Sequence, residues 1–315
     1  MDARQSHTSI GKEVGLSREV VAYRINRLEK QKVIDKYVVI LNYKKIGYES
    51  YKWYLQLENT DNKKLQEIIE AFKKYPYCVW INTCTGKYDI IVVFLVISSL
   101  HFKNITRDFL NQHGKYIRET SFTIELDIYH FKKKYFQEKK LDLYKTPYVG
   151  GELGHIDLNK EEIKILTLLC ENPKKSVVEI VHESNLTVDI VSNRLQRLKK
   201  NGIFQGARMN INNSKLGVES YKILVNTKIT NPEKEKQLLN YLNHHTNVWD
   251  VIHCLGNWDM EINIDVENSS KFHDIVMEIK NRFPELIRNY ELIQLFDNYK
   301  YNFFPMGRFL LGKQK

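Results

Sequence analysis

The sequence lacks most of what would mark a secreted, membrane or metal-dependent protein. It has four cysteines (Cys78, Cys84, Cys170 and Cys254), none of them in a CxxC pair. That spacing argues against a zinc site, a disulfide framework or a thioredoxin-like redox centre. Cys84 and Cys254 stand beside apolar residues, where a free thiol serves as a small core side chain. No N-terminal apolar segment resembles a signal peptide, and no run reaches the ~18 apolar residues of a membrane span. The longest apolar run, residues 90–97, has the length of a buried strand. No cluster of His, Cys and carboxylate suggests catalysis. These absences predict a reduced, cytoplasmic setting with no metal, no cofactor, no catalytic residues and no membrane partner.

What is present is a repeat. Arg24-Ile-Asn-Arg-Leu28 recurs as Arg194-Leu-Gln-Arg-Leu198, Gly47-Tyr-Glu-Ser-Tyr-Lys52 as Gly217-Val-Glu-Ser-Tyr-Lys222, and Cys84-Thr-Gly-Lys-Tyr-Asp89 as Cys254-Leu-Gly-Asn-Trp-Asp259. Every pair is offset by 170 residues. A period this long exceeds the ~20–50 residues of a solenoid unit, so each copy is a domain-sized module.

The net charge of +10 is distributed unevenly along these copies. Residues 1–45 carry +5, 46–131 are neutral, 132–156 carry +3, 157–215 carry +3, and 216–315 carry −1. The excess therefore sits at the start of each copy and in the joint between them. This points either to a polyanion-binding segment attached to a neutral module or to a solvated lysine-rich face.

The start of the second copy reads as three helices and a wing. Asp157-Leu-Asn-Lys-Glu-Glu162 opens with capping residues, and Ile163, Ile165, Leu166, Leu168 and Leu169 follow at helical spacing. Pro173 ends this helix, and a short one follows around 176–183. Asn185-Leu186 makes a turn, and Thr187 caps a third helix whose Val191, Leu195 and Leu198 face inward. Asn201-Gly202 stops it. Residues 203–211 read as a strand pair or wing. The first copy matches from its second helix on: Ile10–Val14, the Gly15-Leu16 turn, the Ser17 cap, inward Val21, Ile25 and Leu28, and a wing at 33–41. A counterpart of the first helix is absent there, so the first head reads as truncated.

The second part of each copy predicts strand, helix, strand, strand, helix, strand. The order βαββαβ is the ferredoxin-like split β-α-β arrangement. Its helices cover one sheet face. The other face, made partly of Trp80, Phe94, Phe122, Trp249 and Phe296, would want a partner sheet, which the second copy could supply. The fold class is α+β, with domains at 1–45 (winged helix-turn-helix), 46–131 (βαββαβ), 132–156 (a basic linker, flexible at its glycine-rich end), 157–215 (winged helix-turn-helix) and 216–305 (βαββαβ).

This ordered set, found twice, resembles the Lrp/AsnC (feast/famine) transcription regulators, a winged helix-turn-helix followed by a βαββαβ effector (RAM-type) domain. The match is carried by Ile10–Ser17, Val21, Arg24–Glu29, Thr85–Asp89 and Arg118–Leu126, and again by Leu186-Thr187, Val191, Arg194–Leu198, Asn201–Ile203, Leu255–Asp259 and Arg288–Leu295. The resemblance implies binding of double-stranded DNA through the third helix of each head and pairing of the tails. It also implies further homo-oligomeric assembly and response to an amino acid or similar small molecule. Two copies in one chain would form an intramolecular pseudo-dimer.

For the DNA contact, the N-terminal end and outer face of the third helix enter the groove in this motif. In the first copy these positions hold Ser17, Arg18, Tyr23 and Asn26, and in the second Thr187, Ser192, Asn193 and Gln196. Arg18 suits guanine and Asn26 adenine. Arg24, Arg27, Arg194 and Arg197 lie on the flanks, where they would touch phosphates or form surface ion pairs. The unlike faces predict an asymmetric DNA site. For the effector, Gly86, Tyr88, Asp89, Gly256, Trp258 and Asp259 occupy the family's pocket-lining turn, where an Asp beside an aromatic ring could hold an amino group. The same residues would also serve a hairpin alone.

Two other readings belong to different classes. Sirohaem decarboxylases resemble Lrp/AsnC proteins in fold and also occur as fused pairs. Of their His-Cys-Tyr-x-Arg pattern only His253-Cys254 is found here. An effector-sensing subunit that no longer binds DNA is the other, suggested by the truncated first head.

Overall fold

The computed structural model describes residues 3–131, 133–136, 147–228 and 232–313. In chain order the first copy contains α1 (His7–Val14), α2 (Arg18–Lys30), β1 (Ile34–Leu41), β2 (Glu49–Leu57), α3 (Asn62–Lys73), β3 (Cys78–Thr85), β4 (Ile90–Val96), α4 (Ser99–His113) and β5 (Ile117–His130). A short β6 (Tyr148–Val149) follows in the joint. The second copy contains α5 (Lys160–Glu171), α6 (Val177–Ser184), α7 (Val188–Lys200), β7 (Phe204–Ile211), β8 (Glu219–Thr227), α8 (Pro232–His244), β9 (Val248–Gly256), β10 (Met260–Val266), α9 (Ser269–Arg282) and β11 (Ile287–Tyr301), with α10 (Gly307–Lys313) at the end.

These elements gather into two compact units, each drawn from both copies. One unit holds Met1–Asn42, Ile156–Gly217 and Asn302–Lys315, and the other holds Tyr43–His155 and Val218–Tyr301. Like therefore assembles with like: head with head, and tail with tail.

In the head unit, local sequence sets the helix limits. Asn159 and Glu162 form a reciprocal capping box at the start of α5, and Ser176 and Glu179 form another at α6. α1 ends at Gly15 and α6 at Asn185, both left-handed. The wings differ from the sequence expectation. β1 and β7 are not hairpins within their own heads. They pair antiparallel with each other, Val39 opposite Ala207, in a two-stranded ribbon. A lone strand cannot satisfy its amides, and the other copy offers the matching edge. Glu29 of α2 adds a second tie between heads, accepting from Lys174 Nζ at 2.7 Å and from Tyr37. The C-terminal α10, outside the repeat, packs on α5.

In the tail unit the sheet closes on itself. The first copy contributes the order β5-β2-β4-β3 and the second β11-β8-β10-β9. β3 pairs with β11 and β9 with β5, so each tail's second strand edges onto the other tail's last strand. The result is a ring of eight strands, each with a neighbour on both sides, which removes the edges that invite aggregation. Outside the ring, α3 and α4 cover a core of Trp53, Phe72, Phe94 and Phe109, while Leu238, Leu242, Phe272 and Ile279 from α8 and α9 cover the second.

Closure corrects two expectations. Phe94 lies in the helix-covered core, and the Phe122 ring sits 5.8 Å from Phe102 of α4, so these two do not line the bare face. The facing sides of the two sheets instead carry buried Ser50, Lys52, Tyr54, Glu125, Lys222 and Glu261. The joint is also less free than its glycines suggested. β6 pairs with β5, and the Gly154 amide donates to Lys44 at 2.8 Å. A Cβ on Gly154 would stand 2.6 Å from the Lys45 carbonyl, so glycine serves a close approach there. Lys132, Lys139 and Lys140 lie outside the described residues.

Candidate nucleic-acid interface and tail turns

The recognition helices α2 and α7 start alike. Ser17 and Thr187 hold extended backbone, and their hydroxyls accept from the Val20 and Ile190 amides, each at 3.3 Å. Glu19 and Asp189 lie in the first turns, where the helix dipole favours a carboxylate. On α2, Arg18, Tyr23, Arg24, Asn26 and Arg27 are all exposed beyond the exposed Ser17. On the second helix Thr187, Asn193, Gln196 and Arg197 are exposed, while Ser192 and Arg194 are half-buried. Most of these side chains thus face solvent in both heads, with the apolar Val188 among them.

Arg197 is already engaged. Its guanidinium meets the buried Glu162 carboxylate of α5 at 2.5 Å, joining α7 to the helix that covers it. Arg27, at the equivalent position, is exposed on a head that has no such helix among the described residues. This pairing is not legible from the residues alone, because Glu162 reads there only as a capping residue, which it also is.

The tail turns are built the same way twice. Gly86 has φ +120° and Gly256 +144°. A Cβ on Gly86 would lie 2.8 Å from the Leu292 carbonyl, and one on Gly256 2.7 Å from that of Phe122. Each glycine thus lets its turn press against the other copy's last strand. Asp89 accepts from the Leu57 amide at 2.7 Å, and Asp259 from the Thr227 amide at 2.6 Å. The two carboxylates tie off the ends of β2 and β8. The structure brings Tyr88 and Trp258 together, with ring centroids 6.3 Å apart, and Tyr54 completes a triangle with them. Tyr88 donates to Ser121 at 2.8 Å, and Trp258 to Glu261 at 3.2 Å.

Glu261 is the centre of a buried ionic cluster. One carboxylate oxygen accepts from Lys52 at 2.6 Å and Lys222 at 2.5 Å, and the other from Tyr54 at 2.6 Å and Trp258. Lys52 also meets Glu125 at 2.6 Å, whose second oxygen accepts from Ser50. Burial would raise the Glu261 pKa, but Lys222 and Lys52 outweigh it and hold the carboxyl well below its usual range. Burial likewise opposes the charge on Lys52, and Glu125 with Glu261 overrides it. Lys222 is pushed down by burial and by neighbouring Lys52, against the pull of Glu261. The asymmetry follows from geometry, since Lys52 has two carboxylates and Lys222 one. The cluster holds two lysines and two glutamates, so it is neutral as a whole. It was partly legible in the sequence: Lys52, Lys222 and Glu261 each sit between large apolar residues in a strand, where alternation points them to the opposite face.

His253 and Cys254 show no reactive arrangement. Burial pushes the Cys254 thiol well above its ordinary pKa, which disfavours the thiolate. Among the described residues no group of His, Cys, Asp and Glu could hold a metal ion.

Residues 2–35 and 158–205 both match a winged helix-turn-helix DNA-binding family. An HTH-type transcriptional regulator of Pyrococcus furiosus is 32% identical over 127 residues, 40% of this chain and 83% of that protein. The HTH-type transcriptional regulator LrpA of Pyrococcus horikoshii is 30% identical over 92 residues, 29% of this chain and 64% of that one. Along the whole chain, the crystal structure of the siroheme decarboxylase NirDL superposes with a TM-score of 0.59 at 12% identity, covering 99% of this chain and 94% of that one. At that identity the likeness concerns the fold, and it shows a known architecture with both copies in one polypeptide. With two winged helix-turn-helix heads, two βαββαβ tails and relatives that are regulators, the chain belongs to the Lrp/AsnC family of DNA-binding transcriptional regulators.

Proposed function

We propose that the chain is a single-polypeptide pseudo-dimer that reads one asymmetric DNA site, each recognition helix taking one half. The observation that supports this most is the β1–β7 ribbon, which joins two heads with unlike reading faces into one unit. α2 offers Arg18, Tyr23 and Asn26 where α7 offers Val188, Asn193 and Gln196. Ser17, Thr187 and Ser192 contact the groove beside them, and Arg24, Arg27 and Arg194 take phosphates. Arg197 takes a phosphate with the part of its guanidinium that Glu162 leaves free.

Selection from random duplexes by the purified chain at physiological salt tests the reading. Enrichment of a non-palindromic motif is expected, and recovery of no enriched sequence rejects it. In the same assay Arg27→Ala should weaken binding to every duplex and lower the salt slope by about one. Wild-type affinity and slope would remove Arg27 from the interface.

We further propose that an amino acid or similar small molecule acts on the tails at the Gly86–Asp89 and Gly256–Asp259 turns, and that tails assemble into higher homo-oligomers. Support comes from the carboxylate beside an aromatic ring, repeated in both copies. An amino group would compete there with the Leu57 or Thr227 amide. Adding an amino-acid mixture to the selection should then change affinity or assembly size, and no change in either sinks the effector role. No helix of the described residues is long and apolar enough to cross a membrane.

The fold shared with NirDL favours a second reading, a porphyrin-modifying enzyme. The buried Cys254 thiol, and His253 without the following Tyr and Arg, weigh against it. Incubation with sirohaem should leave its absorption spectrum unchanged.

A further inference from the structure

We propose that Glu29, Tyr37 and Lys174 are positioning residues that set the spacing of the two DNA half-sites, by fixing the direction of α2 relative to α7. The proposal rests on the two-headed DNA reading above. Lys174 Nζ and the Tyr37 hydroxyl donate to the same carboxylate oxygen of Glu29, at 2.7 and 2.5 Å. The Lys174 ammonium also stands 4.9 Å from the centre of the Tyr37 ring, whose face attracts a cation. Glu29 lies in the last turn of α2, Tyr37 in the ribbon, and Lys174 between α5 and α6. Three elements from two heads therefore meet at one carboxylate.

The ribbon alone does not fix that direction. Its register shifts between Ile34 and Lys36, just after the chain leaves α2, and two-stranded ribbons twist more than wider sheets do. Glu29 precedes the shift and Tyr37 follows it, so their hydrogen bond bridges the irregular stretch. Lys174 then ties α2 to the other head. It follows α5, whose Glu162 meets Arg197 of α7 at 2.5 Å, so a line of contacts runs from one recognition helix to the other. The equivalent positions on the second side are Lys199, Ala207 and Arg4, which bring no carboxylate and no hydroxyl. There Arg4 donates to the Pro173 carbonyl at 2.6 Å. Residues 18–29 span about 16 Å of helix, so a tilt of about 4° at the clamp moves Arg18 by about 1 Å. The Lys174 and Glu29 side chains are 37% and 30% exposed, and such a pair adds little to stability. Its removal should therefore change geometry rather than folding.

Two measurements on the full-length chain test this. Spin labels on Arg18→Cys and Val188→Cys report the distance between the reading ends without DNA, the four native thiols being buried. Lys174→Met, which keeps the aliphatic stem, should broaden the distance distribution. Glu29→Lys combined with Lys174→Glu should narrow it again. Binding is then measured to duplexes carrying the two selected half-sites at the preferred spacing, or one base pair closer or farther. Off its preferred spacing the wild type should lose about tenfold or more, as one half gives up base contacts. Lys174→Met should cut that loss to about threefold, with affinity at the preferred spacing kept within about fivefold. The charge exchange should restore the wild-type preference. An unchanged distribution in Lys174→Met, an equal loss at every spacing, or an exchange that restores neither readout would overturn the proposal. A wild type that selects no motif would reject the DNA reading instead, and the label distances would still decide whether the clamp holds α2.

Discussion

The two heads differ in how they are covered, whereas the two tails cover one another. The second head carries its own cover, α5, and buries Val191, Leu195 and Leu198 fully or nearly so. The first head has no such helix among the described residues, and its Leu28 stands partly in water. The tails, by contrast, complete one another. Each glycine turn presses on the other copy's last strand, and the lysines at equivalent positions, 52 and 222, share one carboxylate. Mutual burial thus gives the two tails a common strand order and a common turn geometry. Even in the tails the symmetry is incomplete: Glu261 answers to Ile91 in the first copy, and Glu125 to Leu295 in the second.

The largest effect is expected from making the second tail resemble the first at that point. Glu261→Ile would strand Lys222 inside the ring and leave Lys52 with Glu125 alone, and removing one partner of a buried ionic network costs about 3–5 kcal/mol. Adding Lys222→Met should recover a large part of the loss, because the remaining lysine keeps Glu125. Urea melts of both variants measure this, and a double variant no more stable than Glu261→Ile would show that the lysines are not the strained groups. The pH dependence has a definite sign. The Glu261 pKa is depressed by folding, so its contribution is fully present above the unfolded carboxylate pKa and is lost as pH falls through the folded value. The gap between wild type and Glu261→Ile should therefore narrow in acid.

The heads provide the next contrast. Leu198→Ala empties a sealed site and should cost about 2–5 kcal/mol. Leu28→Ala removes a side chain that already stands partly in water and should cost less. Equal losses in thermal melts would mean that the first head is covered in solution. The tail turns should behave in the opposite way. Gly86→Ala and Gly256→Ala each force a Cβ onto a carbonyl at positive φ, with a cost of about 1–3 kcal/mol that should be similar in both copies. A loss at only one of the two would break the tail symmetry.

How much of this was readable beforehand depended on whether the cause was local. Helix caps at Ser17, Thr187 and Asn159 and the inward stripe Val191-Leu195-Leu198 are short-range effects, and their residues announce them. The fold class followed from the order of such elements. The pairing of β1 with β7, the closed ring and the Arg197–Glu162 contact join residues far apart in sequence, and no periodicity reports them. The need of the bare sheet face for a partner is legible in the residues, and its composition is not. Phe94 and Phe122 are conspicuous as letters, yet their strand parity points them to the helices, and the same parity points Lys52 and Glu261 inward. Of the site residues, Asp89 and Asp259 were recognisable as turn residues, and the amides they hold were not.

The smallest expected effect isolates the backbone from the packing. Both recognition helices end the same way, with the amide of residue 33 or 203 donating to the carbonyl of Leu28 or Leu198 at 3.0 Å. The residue before that amide is left-handed in both copies, Lys32 at φ 58° and Gly202 at φ 68°. A side chain there costs about 1 kcal/mol that glycine avoids, although glycine gives back a part through the greater freedom of its unfolded chain. Lys32→Gly should therefore stabilise the first head slightly, by less than about 1 kcal/mol, and Gly202→Lys should destabilise the second by more. The asymmetry arises because the second head also holds α5, so a distorted helix end there disturbs a sealed core, while in the first it meets water. Matched shifts of opposite sign would show that the turn alone sets the energy and that the missing cover plays no part in it.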